Sequence, residues 1–240
     1  MSTHVVALSG GKDSTALALR LREMHPDREF IWFCTPTGDE LPELIAHWEY
    51  LESILGPITR ISNRTLDDWI DDFTALPNWR QRWCTRLLKI EPCLAFLKKL
   101  DDPVLYVGLR ADEEQRQGIY SEDVTTKFPL REWGWGLPEV VSYLRQKGVR
   151  IPKRTDCARC YGQRLSEWFD LWRDYPDLYA DAERQEAVIG NTFRSPGRDS
   201  WPAALVDLRE AFESGRKPRG VIDQVGLFDD EGASCRVCRI

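Results

Sequence analysis

The sequence predicts an α/β protein: a Rossmann-like parallel sheet with helices on both faces, followed by a helical appendage. Three observations predict it. Short apolar runs, Val5-Val6-Ala7-Leu8, Phe30-Ile31-Trp32-Phe33-Cys34 and Val104-Leu105-Tyr106-Val107, read as buried strands. The segments between them carry apolar residues at helical spacing, the alternation that builds parallel sheets. The first run breaks into a polar, glycine-bearing loop, Ser9-Gly10-Gly11-Lys12-Asp13-Ser14-Thr15, that opens a helix.

In chain order, the first helix starts near Ser14 and repeats Leu17, Leu21 and Met24. Pro26-Asp27 turns the chain into the second strand, which ends in Thr35-Pro36-Thr37-Gly38-Asp39-Glu40. A helix over Pro42–Leu55 leads to a weaker strand, Ile58–Ile61. Thr65 is placed to cap a short helix with Leu66, Trp69, Ile70 and Phe73. A cation-dense stretch, Arg80 to Pro92, opens a further helix with Leu94, Leu97 and Leu100. The fourth strand ends in Gly108-Leu109-Arg110; a hydrophilic loop and a helix over Leu137–Lys147 follow. Beyond it come a helix bearing Leu165, Trp168, Phe169 and Trp172, and two more between Pro176 and Ser214. Ser200 is the expected N-cap of the last helix and Gly215 its stop. The expected organisation is 1–152 as the α/β domain, 153–220 as the appendage and 221–240 as a tail.

At 240 residues the chain holds one full domain plus that appendage. No run approaches a membrane span and Met1–Ser9 lacks a signal-peptide shape, so a cytoplasmic protein is expected, with a homo-oligomer left open. The net charge of −6 gives no global basic field for nucleic acid. Arg145, Lys147, Arg150, Lys153 and Arg154 still form a local patch that fits either a solvated face or a nucleic-acid contact. The only histidines, His4, His25 and His47, show no partner pattern and read as structural.

The glycine loop carries the clearest chemistry. A strand, a tight bend and a helix N-terminus present unpaired N–H groups and a positive dipole end to an anion. Gly10 and Gly11 let backbone approach phosphate, and Lys12 adds a charge. Asp13 suits Mg²⁺, and Ser9, Ser14 and Thr15 offer hydroxyls. The spacing is too short for a Walker A loop.

Thiols form the second constellation. Cys157-x-x-Cys160 sits in a turn before a helix, and Cys235-x-x-Cys238 lies in the tail. Thiolates suit zinc and iron–sulfur clusters. Cys84, Cys235 and Cys238 are candidates to complete the site, while Cys34 and Cys93 read as packing thiols. The sequence leaves a 4Fe–4S cluster, Zn²⁺ and no metal open. The tail pair also fits a mobile carrier of sulfur or electrons.

The motif Ser9-Gly10-Gly11-Lys12-Asp13-Ser14-Thr15 resembles the PP-loop of the ATP pyrophosphatases, and with it the adenine nucleotide alpha-hydrolase-like fold. From Ser9 to Cys160 the order of motifs is similar to the phosphoadenylyl-sulfate reductase family. That order is PP-loop, Thr37-Gly38, Cys84 before Leu88-Lys89-x-x-Pro92, Gly108-x-Arg110, Pro129-Leu130-x-x-Trp133 and Cys157-x-x-Cys160. The resemblance implies that Lys89 and Arg110 contact phosphate or sulfate and that Thr37-Gly38 borders the adenosine. It also implies that Cys84 joins Cys157 and Cys160 in a cluster completed by Cys235 or Cys238.

Three departures matter. Pro36 stands where an Asp is common, Trp83-Cys84 replaces adjacent cysteines, and the Glu-Cys-Gly-x-His tail is missing. The loop, by contrast, keeps Lys12, Asp13 and Ser14, which reductases generally lose. A chain that keeps groups able to stabilise departing pyrophosphate is expected to cleave ATP. The expectation is therefore an ATP pyrophosphatase-type sulfurtransferase using ATP and Mg²⁺, with Lys12, Asp13, Arg110 and Cys238 as catalytic residues. A cysteine desulfurase or thioredoxin-like protein would supply sulfur, and nucleic acid is one acceptor considered. A sulfonucleotide reductase and a non-catalytic, zinc-holding nucleotide-binding subunit are the alternatives.

Overall fold

Five strands make one sheet: β1 (Thr3–Ala7), β2 (Ile31–Cys34), β3 (Ile58–Arg60), β4 (Pro103–Tyr106) and β5 (Thr125–Lys127). The computed structural model describes residues 2–113, 115–116 and 124–221. Neighbouring strands are all parallel, in the order β3-β2-β1-β4-β5. The order reverses between β1 and β4, and such a switch point leaves a crevice at the carboxyl ends of the strands. The edge strand β5 was not expected. Its Thr-Thr-Lys sequence is polar and mostly exposed, so only pairing with β4 marks it.

Alternation along β1 divides the core. Val6 faces α1 (Lys12–Met24), α2 (Pro42–Leu55) and α7 (Leu137–Gln146) through Leu17, Leu51 and Val140. Val5 faces the opposite side, where Cys93 and Leu97 of α5 (Glu91–Leu97) pack with Phe33 and Leu105. Helices thus cover both faces. Helix α1 begins at Lys12, two residues before the expected start, and Met24 stays exposed at its end. Helix α3 (Leu66–Phe73) opens with a reciprocal capping box between Thr65 and Asp68. Helix α4 (Trp83–Thr85) runs into a π turn (Arg86–Ile90) and then α5. Pro92 accounts for the wide turn: it has no N–H and its ring would press on the Leu88 carbonyl of a regular helix. Helix α6 (Pro129–Glu132) is a single turn.

The C-terminal part is helical: α8 (Leu165–Asp174), α9 (Pro176–Ile189) and α10 (Leu205–Glu213). Its core, with Trp168, Tyr179, Phe193 and Leu208, also takes in Leu41, Leu66, Ile70, Leu76 and Leu88 from the α/β part. The expected cap Ser200 is corrected. Helix α10 starts after Ala204, and the buried carboxylate of Glu186 accepts from the N–H of Leu205 at 2.6 Å. A distant acid does the work of a local cap. Among the described residues no helix is long and apolar enough to cross a membrane.

Candidate active site

The PP-loop leaves β1 at the switch point. Gly10 has φ +85°, and a Cβ there would stand 2.5 Å from Leu44 Cδ1. Only glycine fits that bend between sheet and α2. Gly11 ends the loop and starts α1, so the unpaired N–H groups of the first turn face the crevice. The bend after β4 presses on the same turn: a Cβ at Gly108 would lie 3.0 Å from the Ser14 nitrogen. Ser9 Oγ and Ser14 Oγ are 3.0 Å apart, and Ser14 Oγ also donates to the Gly11 carbonyl.

A cavity of about 160 Å³ opens here, lined by Ser9, Gly11, Asp13 and Ser14 of the loop region and by Lys89 and Arg116. Thr35, Glu40, Trp48, Cys34, Cys93 and Cys157 also line it. Asp13 is 8% exposed. Its Oδ2 accepts from Arg110 at 2.9 Å, with Lys12 Nζ at 3.9 Å. Its Oδ1 has no hydrogen-bond partner among the described residues. Burial holds this carboxyl above its usual range, against the pull of Lys12 and Arg110. A buried, partnerless oxygen in an anion cradle fits a divalent cation.

Of the residues expected at the nucleotide, Gly10, Lys12, Thr15, Thr37, Gly38 and Arg110 are not among those lining this cavity. Arg110 is enclosed by carboxylates, with Asp13, Asp112 at 2.8 Å and Glu113 at 3.7 Å, so it orients Asp13 rather than lining the cavity. Thr15 is fully buried with its hydroxyl 3.2 Å from His47 Nε2, not turned to the loop. Successive helical residues point about 100° apart, so 12 to 15 do not all face one ligand.

A second, smaller cavity lies alongside, lined by Cys84, Cys157, Cys160, Tyr161, Thr85, Thr37 and Lys89. Cys157 and Lys89 belong to the walls of both cavities. Thr37 Oγ1 lies 3.3 Å from Cys157 Sγ and donates to Glu40 at 2.7 Å. Thr37 therefore borders the thiols, while a Cβ at Gly38 would meet Thr65 at 2.7 Å. The loop after β2 holds the cysteine turn. The Asp39 carbonyl accepts from Ala158 N at 2.7 Å, and its carboxylate accepts from Arg159 N at 2.8 Å and Arg159 Nε at 2.6 Å. Arg159 also pairs with Asp67 at 2.8 Å.

Comparison with known proteins supplies the family. The profile described as phosphoadenosine phosphosulfate reductase domain matches residues 3–155, well over half of the chain. The protein belongs to the phosphoadenosine phosphosulfate reductase domain family. A curated relative in this range is the "Uncharacterized 37.8 kDa protein in gpa 5'region" of Escherichia phage 186, 21% identical over 83% of this chain and 79% of its own. Among solved structures, phosphoadenylyl-sulfate reductase from Candida auris, a phosphate complex, shares the fold. Its TM-score is 0.50 at 14% identity, over 62% of this chain and 74% of that one. The U34-tRNA thiolase NcsA from Methanococcus maripaludis, with its [4Fe-4S] cluster, aligns at TM-score 0.47 and 16% identity. That alignment spans 99% of this chain and 80% of that one.

For this member of the phosphoadenosine phosphosulfate reductase domain family, thiol donors suit a thiophilic centre. Among the described residues, however, no group of three metal-ligating side chains converges well enough to hold an ion. Cys235 and Cys238, expected as fourth ligand and catalytic thiol, lie outside the described residues. Cys34 and Cys93 line the larger cavity, although both thiols are pushed up by burial, to about 12 and about 11. Sequence reasoning missed Arg116, Glu40 and Trp48 as cavity residues. The first lies past the Gly-x-Arg strand end, the other two on α2 and its approach, and no local spacing marks them.

Proposed function

We propose that this protein binds ATP with Mg²⁺ in the larger cavity, adenylates an acceptor and passes sulfur to the activated atom. The observation that carries the reading is the shared wall: Cys157 and Lys89 line both the phosphate cavity and the thiol cavity. Activation and sulfur delivery then need only a short transfer.

The α1 N-terminus, the loop amides and Lys12 would hold the β and γ phosphates. Mg²⁺ at Asp13 Oδ1 would neutralise phosphate charge, with Arg110 fixing the carboxylate. An acceptor oxygen attacks the α-phosphorus, the bond to the bridging oxygen breaks, and pyrophosphate leaves. The terminal sulfur of a donor persulfide, such as that of a cysteine desulfurase, then bonds to the activated atom and AMP departs with the electron pair. A second thiol attacks the donor sulfur, the S–S bond breaks, and the sulfur stays on the product while the two thiols leave as a disulfide. Lys89 would stabilise negative charge that develops between the cavities. Cys84, Cys157 and Cys160, with Cys235 or Cys238, would hold a 4Fe–4S cluster or zinc, which would supply a soft site for sulfur. A cytoplasmic setting suits reduced thiols.

ATP-dependent release of pyrophosphate tests this, with Lys12→Ala and Asp13→Asn expected to abolish it. Absence of pyrophosphate release with any acceptor class tried, together with no ATP binding, refutes it. The family match also supports sulfonucleotide reduction as a second reading; release of sulfite from phosphoadenylyl sulfate with thioredoxin would establish that instead.

A further inference from the structure

Two buried polar atoms in the walls of the larger cavity lack hydrogen-bond partners among the described residues: Asp13 Oδ1 and Trp48 Nε1. They are opposite in sense, one an acceptor and one a donor. Trp48 is 4% exposed. A buried indole N–H normally finds a partner, and leaving it without one is costly. The nitrogen abuts the PP-loop, since a Cβ on Gly10 would stand 2.7 Å from Nε1. Leu44, one turn earlier on α2, packs against the same glycine and fixes the ring.

We infer that the Trp48 indole N–H donates to a phosphate oxygen of the ligand held in the PP-loop, which makes Trp48 a phosphate-binding residue contributed by α2. The inference rests on the reading of this cavity as a nucleotide site. Cation and donor have complementary tasks. A cation bound at Asp13 Oδ1 and an indole donor across the loop would grip different oxygens of one phosphate chain. Lys12 and the helix dipole attract any anion, whereas one fixed N–H favours an oxygen at one place. Trp48 is neutral, so it adds this donor without changing the charge balance around Asp13.

The test uses the whole protein with magnesium pyrophosphate and with ATP. In a ¹H–¹⁵N spectrum the chain gives signals from its 10 Trp indoles; the Trp48 signal is the one lost in Trp48→Phe. If that variant folds poorly, contacts from the indole proton to Leu44 methyls assign the same signal in the native protein. The expected result is a downfield move of that signal on adding magnesium pyrophosphate. Pyrophosphate should also bind about tenfold more weakly to Trp48→Phe, the loss of one hydrogen bond to a charged acceptor. An unmoved signal, or unchanged affinity in a folded Trp48→Phe, overturns the inference. Lys12→Ala separates the two levels. If the native protein binds and Lys12→Ala does not, while Trp48 proves silent, the nucleotide site stands and the Trp48 contact falls. If the native protein binds neither probe, both fall.

Discussion

Replacing Asp39 by Ala removes the carboxylate that holds the Cys157–Cys160 turn. The Arg159 and Asp39 side chains are 6% and 1% exposed; Arg159 Nε donates to one Asp39 oxygen, and the Arg159 backbone N–H donates to the other. Breaking one partner of a buried pair costs about 3–5 kcal/mol. Arg159 keeps Asp67, whose side chain is half exposed, so the lower end, about 3 kcal/mol, applies. That is a large share of the roughly 5–15 kcal/mol that holds a domain folded. Urea unfolding of Asp39→Ala, Arg159→Ala and the double variant at pH 8 measures it. The double variant should be more stable than the two losses added together, by about 1–3 kcal/mol. Burial pushes the Asp39 carboxyl up to about 6. Native Asp39 therefore takes up a proton as pH falls from 8 to 5, and the coupling should shrink over that range. Single losses below about 1 kcal/mol, or simple additivity at pH 8, would refute the assignment of this pair as the anchor of the turn.

Other outcomes follow from the same geometry. Gly10→Ala forces a side chain into Leu44 and Trp48 at positive φ and should cost about 2–4 kcal/mol, whereas Gly56→Ala, at φ +90° with nothing within 4 Å, should cost only about 1–2 kcal/mol; thermal unfolding compares them. Burial pulls His47 down to about 4 from 6.5. The unfolded chain then binds a proton that the folded chain refuses between those values, so stability is full above pH 6.5 and drops by about 3 kcal/mol toward pH 4. His47→Leu should flatten that slope in a pH series of unfolding curves. At pH 8 iodoacetamide should leave Cys34 and Cys93 unmodified in the native protein and label them after unfolding, as mass mapping would show.

Much of the fold is legible in the sequence because burial writes itself locally. Val5–Leu8 and Phe30–Cys34 are apolar runs, and Pro42–Leu55 carries its helix in a single repeat. The PP-loop is legible for a different reason: its bend depends on backbone and glycine, which the motif names directly. Legibility fails where a partner is far along the chain. Asp39 meets Arg159 across 120 positions, and Glu186 serves Leu205 across 19. Strand β5 fails for lack of a pattern, since an exposed Thr-Thr-Lys edge has no apolar face to show. The meeting of Cys84 with Cys157 and Cys160 came from family resemblance; their spacing alone does not place them at one cavity.

The family match ends at Thr155, and Thr155 and Cys157 line the same cavity. The helices beyond that point also share Leu66, Ile70 and Leu88 with the sheet's own side of the molecule. Grafting a foreign segment after residue 155 would keep the glycine loop, discard four cysteines and leave an oily face bare. The glycine loop and the cysteine turn can be parted at a peptide bond, yet in space they are one object.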